Sequence, residues 1–322
     1  MNLKNLIWLL LPVFFMSCKP KNKLDVDTSD IKAKVSVKRF EKIFYTANPK
    51  DLPKIKKEFR SIFPHDIDSI WIAKMQDTLE QELFKATIQE YRDFSKEKNE
   101  LQNLFKHVKY YYPNFKEPQV ITVMTNISYD QRVIYQKDTL YLSLDVFLGK
   151  DNPFYKKYLD YPKYIVDSFE KEQLPVNAAK EIARKVQVLE PNRSFVEKMV
   201  QHGKLLYTTQ AFLPSVPEEQ IINYTTDKFN WVKDNEKMIW TYLIEKELLY
   251  STDPKLDRRF LAEAPFTKFY LDIDNKTPGR IGEWIGLQIV KSYMENNDVS
   301  LQEMLKTPNQ LVFKKSKYKP KR

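Results

Sequence analysis

An α+β fold, mostly helical with one small sheet, is predicted by three runs of hydrophobic spacing. Between residues 51 and 105, Ile55, Phe59, Ile62, Ile70, Met75, Leu79, Leu83, Ile88, Tyr91, Phe94, Leu101 and Leu104 recur at threes and fours, the period of helix faces. The period then changes. Val120, Ile121, Val123 and Met124 form a β-rich run, followed by residues 133–135 and by Leu140, Leu142 and Leu144 alternating with polar residues. Lys137-Asp138 makes the turn of a hairpin, so the sheet is expected between 119 and 146. From Pro153 to about residue 306 helical spacing dominates, and no repeat of fixed period interrupts it.

Cys18 is the only cysteine in 322 residues. It follows a lone Lys4, an apolar run from Leu6 to Phe15 and the small residue Ser17. A basic start, a short apolar stretch and a small-residue cleavage site make a secretory signal, and the run is too short to span a bilayer. Phe15-Met16-Ser17-Cys18 resembles a bacterial lipobox, so residues 1–17 are expected to be removed and Cys18 to be acylated. An incidental cysteine after a cleaved signal, or a buried free thiol, is the alternative. Residues 18–35 are polar and lack aromatics, and are expected to serve as a flexible membrane tether. A globular body over 36–313 follows.

The formal net charge of +10 falls to +9 once Lys4 is removed with the signal, which draws the chain to anionic surfaces. An exported protein meets lipid headgroups and cell-wall polymers, so nucleic acid is not an expected partner. The tail 314–322 holds Lys314, Lys315, Lys317, Lys319, Lys321 and Arg322. It reads as a solvated extension or as a contact for headgroups or a partner. Five glycines and 14% aromatic residues favour an ordered body over a fibrous chain.

Helices, a small sheet and then more helices is the order of a zinc-peptidase-like domain, whose active-site helix follows the sheet. The candidate is residues 175–189, where Val176, Ala179, Ala183 and Val186 share one stripe and Glu181 and Lys185 pair four apart. A zinc helix needs His at i and i+4 with Glu at i+1. Here the pentad is Lys180-Glu181-Ile182-Ala183-Arg184, which keeps only the glutamate. A protonated lysine and a guanidinium offer no lone pair, so neither metal nor other cofactor is expected at this helix.

Three of the five glycines fall at Gly279, Gly282 and Gly286. Neither dinucleotide nor phosphate-loop spacing is present. Thr277 can cap a helix that begins with Pro278, and Gly282 and Gly286, one turn apart, leave a groove where another backbone can approach. Core packing is the first reading; a docking groove with Arg280 and Trp284 on its rim is the second. Cys18 is committed to lipid and no Gly-x-Ser-x-Gly elbow exists, which removes the common nucleophiles. His65 and His107 lack companions at ligand spacing, and Asp272 and Asp274 are expected on one solvated face of an extended segment.

Four segments carry a resemblance: Leu248-Leu249-Tyr250-Ser251-Thr252; Ala264-Pro265-Phe266-Thr267-Lys268-Phe269-Tyr270; Pro278-Gly279-Arg280-Ile281-Gly282-Glu283-Trp284-Ile285-Gly286 with Gln288-Ile289-Val290; and Ser316-Lys317-Tyr318-Lys319-Pro320. With the lipobox, they make the chain similar to the GldB family of gliding-motility lipoproteins of Bacteroidetes. That family resembles a wider group of zincin-like peptidases with an intact His-Glu-x-x-His helix and a downstream Glu-Gly pair. The matching positions here are Lys180, Glu181, Arg184 and His202-Gly203, a departure at three sites. The resemblance implies a lipid-anchored, metal-free pseudo-peptidase that works in gliding through other machinery or envelope proteins. A residual hydrolase, or a binder of anionic lipid or cell-wall polymer, are the alternatives. Lys19-Pro20 after the cysteine lacks an aspartate retention signal and an acidic export run, which favours a periplasm-facing anchor in the outer membrane over the inner.

Overall fold

The structure is a computed structural model that describes residues 23–63 and 67–320. Cys18 and His65 lie outside the described residues. The chain enters at β1 (Val37–Arg39) and passes through helices α1 (Phe40–Thr46), α2 (Leu52–Glu58), α3 (Asp68–Gln76), α4 (Thr78–Glu90) and α5 (Ser95–Tyr111). Strands β2 (Gln119–Val123), β3 (Val133–Gln136) and β4 (Thr139–Ser143) complete the sheet. The helical remainder is α6 (Pro153–Tyr158), α7 (Lys163–Val166), α8 (Gln173–Val186), α9 (Phe195–Phe212), α10 (Glu218–Ile222), α11 (Thr226–Asp234), α12 (Glu236–Glu245), α13 (Lys255–Phe260), α14 (Ile281–Asn296), α15 (Leu301–Lys306) and α16 (Asn309–Ser316). The α+β, mostly helical prediction therefore stands.

The sheet order is β1-β2-β4-β3, with β1, β2 and β4 parallel and β3 antiparallel to β4. The expected hairpin is β3–β4, closed at Lys137, whose φ is +51°. In the central strand β2, Val120, Ile121, Thr122 and Val123 are all buried, as a strand covered on both faces requires. On the edge strand β3, Val133 is buried and Ile134 exposed. Helix α8 lies against β3 and β4, and α9 packs against both α8 and α14, bridging the two helices singled out from the sequence. Within the first helical run Ile70 and Leu79 remain exposed, although their spacing assigned them to a core face.

Two expectations at the ends of the fold are corrected. The tether predicted over 18–35 is packed from Lys23 onward: Leu24, Ala33 and Val35 are buried. Its backbone is held by Gln102 Nε2 donating to Ala33 O at 2.9 Å and Lys109 Nζ donating to Lys32 O at 3.1 Å. Three scattered apolar residues are too weak a signal in composition, but long side chains from α5 supply the partners that fix an extended segment. Over 314–320 the solvated reading of the tail likewise gives way, because Ser316 is buried and Tyr318 packs edge-on to Trp240 at 5.0 Å and donates to Glu236 at 2.7 Å.

Candidate functional site around helices α8, α9 and α14

Helix α8 turns Val176, Ala179 and Ala183 into the core, as its stripe predicted. Glu181 pairs with Arg184, three residues on, instead of Lys185. Lys185 sits over the Tyr135 ring of the edge strand, 5.9 Å from its centroid. Glu181 and Arg184 border a cleft of about 200 Å³ shared with Asp130, Arg132, Val133 and Asn177. Arg132 Nε donates to Asn177 Oδ1 at 2.9 Å, which ties the cleft's sheet side to α8.

Lys180 faces the other way. Burial pushes its ammonium down to about 7, helped by the nearby positive charge of Arg280 and opposed by Glu283. Its proton is thus held less firmly than that of an exposed lysine. The sign of its effect on stability follows. The folded state binds this proton less readily than the unfolded chain, whose lysines titrate near 10.4, so charged Lys180 is a burden below pH 7 that is relieved as pH rises toward about 10. Lys180→Met is expected to stabilise the protein by roughly 1 kcal/mol at pH 6, with the gain fading between pH 7 and about 10. Urea unfolding at several pH values measures it, and an unchanged midpoint at pH 6 would contradict the burial.

The charge facing Lys180 was not singled out from the sequence. Glu283 lies on the first turn of α14 among the buried Ile281, Trp284 and Ile285. His202 Nδ1, from α9, donates to its Oε1 at 2.8 Å, and Arg280 Nη1 donates to its Oε2 at 3.3 Å. Burial works against the carboxylate, but the His202 hydrogen bond and the charges of Arg280, His202 and Lys180 overcome it and bring Glu283 to about 2. Arg280 is itself fixed by donating from Nη2 to Ile222 O at 2.9 Å and Asn223 O at 3.2 Å. Its φ of +57° breaks the backbone just before α14 and turns the guanidinium back onto the helix's first carboxylate. A lone glutamate in an apolar helix was the available signal; its partners lie far away in sequence.

The glycines explain why these helices come so close. A Cβ on Gly286 would stand 1.8 Å from Met199 O, and one on Gly203 would stand 2.2 Å from the backbone of Gly286. Gly203, matched by resemblance to a ligand pair, is thus half of a backbone contact between α9 and α14. A Cβ on Gly279 would meet Ala264 O at 2.2 Å, whereas one on Gly282 would meet the Leu261 side chain at 2.8 Å. The docking-groove reading is corrected here. Trp284, expected on a rim, is 2% exposed, and Arg280 is spent on carbonyls and Glu283.

Elsewhere, His107 Nδ1 bonds Asn103 O within its own helix, as an isolated structural histidine would. Asp272 and Asp274 do not share a strand face; Asp274 instead accepts from the backbone N–H groups of Phe269, Tyr270 and Leu271 and closes a turn. Among the described residues no group of three or more His, Cys, Asp or Glu side chains is placed to hold a metal ion.

A family model for the gliding motility protein GldB matches residues 21–320. The chain belongs to that family. It is a family of gliding-motility lipoproteins, and the match spans α8, α9 and α14 together with the sheet. Comparisons with curated proteins and with solved structures give no match. Among the described residues no helix is long and apolar enough to cross a membrane.

Proposed function

We propose that the protein is a non-catalytic component of the gliding machinery, tethered to the periplasmic side of the envelope by acylated Cys18 and acting through other machinery or envelope proteins. The single observation that supports this most is the fate of the pseudo-metal constellation. His202, Arg280 and Glu283 form a hydrogen-bonded cluster that ties α9 to the start of α14, Lys180 of α8 lies within reach of its charges, and Glu181 points to Arg184 at the surface. A hydrolase of this kind needs a free general base beside a metal-bound water. Here the base is ion-paired, Arg184 has no lone pair, and Nδ1 of His202 is already engaged.

Glu181→Gln tests the proposal, since the change keeps shape and removes basicity. Gliding of a null strain complemented with this variant is expected to match wild type at equal protein abundance, and the purified wild-type chain is expected to hold no stoichiometric zinc. A catalyst would lose at least 100-fold in rate from the same change. Lost gliding at normal abundance would overturn the non-catalytic reading.

A further inference from the structure

We infer that the end of the fold carrying α16 docks on the anionic leaflet that holds the lipid anchor; this rests on the lipoprotein reading above. Lys23 Nζ donates to Met294 O at 2.7 Å and to Asn297 O at 3.0 Å, so the first described residue is held at the C-terminal turn of α14. Carbonyls at a helix C-terminus favour a cation there. The same turn binds the end of α16: Ser292 Oγ donates to Ser316 O at 2.8 Å, and Asn296 and Asn297 side-chain amides donate to Ser316 O and Lys315 O at 2.9 and 3.2 Å. One helix end therefore gathers the point of attachment and the basic tail.

The tail is held, not loose. Ser316 is buried, Lys317 turns the backbone with φ +53°, and Tyr318 is pinned between Trp240 and Glu236. That leaves Lys314, Lys315, Lys317 and Lys319 exposed on a fixed surface. Four residues separate Cys18 from Lys23, a reach of at most about 18 Å, so an acylated Cys18 keeps this end close to the bilayer. Among the described residues, exposed Lys23, Lys314, Lys315, Lys317 and Lys319 stand against exposed Asp25, Glu295 and Asp298. Anionic headgroups complement that excess. An acyl chain with a basic patch is the two-signal arrangement that holds a protein on a membrane in one orientation.

The test reconstitutes the purified, acylated full-length mature protein on vesicles of phosphatidylcholine alone or with about one-third phosphatidylglycerol, and measures amine acylation of individual lysines by mass spectrometry. On the anionic vesicles Lys314, Lys315, Lys319 and Lys23 are expected to react roughly tenfold more slowly, with Lys74 unchanged and the protection lost in high salt. Lys314→Glu/Lys315→Glu/Lys319→Glu should abolish the protection of Lys23 while leaving circular dichroism and fatty-acid labelling intact. Equal reactivity on both vesicles, with labelling intact, would overturn the docking face and spare the anchor. Protection seen in native membranes but not in lipid vesicles would also overturn it, in favour of a protein partner. Absence of fatty-acid labelling on the wild-type chain, or its survival in Cys18→Ala, would remove the anchor and the inference with it.

Discussion

Gly286→Ala is expected to abolish stable folding, although it adds a single methyl. The new Cβ would lie 1.8 Å from Met199 O and 2.5 Å from its carbonyl carbon, where carbon atoms normally approach to about 3.5 Å. Both obstacles are backbone, so no rotamer change relieves them and α9 and α14 must part by more than about 1 Å. Overpacking typically costs about 1–3 kcal/mol and more where the structure cannot yield. A natural domain has only about 5–15 kcal/mol of stability in all. Separating these helices also loosens Ile285, Ile289 and Val200, which are fully buried, and stretches the His202–Glu283 bond that spans the same contact. Gly203→Ala should be comparably severe, and Gly282→Ala milder, because Leu261 Cδ2 at 2.8 Å is the end of a flexible side chain. Urea midpoints of the three variants test the order. A Gly286→Ala protein as stable as wild type would mean that the two helices do not cross at glycine.

That ordering marks what could be read from the sequence. The spacing of Gly282 and Gly286 announced a close approach, because glycines one turn apart on an apolar helix leave one face without side chains. What approaches was not readable, since Gly203 lies in a helix whose pattern is otherwise ordinary and contact is set by tertiary packing. The β3–β4 hairpin was legible from strict alternation and a two-residue turn, both local signals. The parallel partner β1 was not, being three residues long and carrying Lys38 and Arg39. The positions Lys180, Glu181, Arg184 and His202 were found through the pattern they depart from. Glu283, which binds His202, was passed over because a carboxylate shows its value only against charges brought from other helices.

Glu283→Gln is expected to cost about 3–5 kcal/mol near neutral pH, the usual penalty for removing one member of a buried ion pair and leaving the others uncompensated. The amide fits the same space. It cannot balance Arg280, whose guanidinium stays in place on Ile222 O and Asn223 O, nor the charged fraction of Lys180. The pH dependence separates this cause from simple misfit. Glu283 titrates near 2 in the folded protein, well below the unfolded glutamate value of about 4.3. A depressed carboxyl stabilises fully above the unfolded value and loses that stabilisation as pH falls toward the folded one. The gap between wild type and Glu283→Gln should therefore be widest above pH 5 and close progressively between about pH 4 and pH 2. Adding Lys180→Met to Glu283→Gln should recover part of the loss, more than Lys180→Met gains alone, because the second change removes a charge that the first left unpaired. Urea unfolding of the four proteins at pH 7, 4 and 3 closes the cycle. Equal stability of Glu283→Gln and wild type at pH 7, or a gap that does not narrow in acid, would dissolve the cluster as the fastener of α9 and α14. Gliding should then follow abundance: Glu283→Gln fails through loss of folded protein, whereas Glu181→Gln, with its surface pair to Arg184, keeps both.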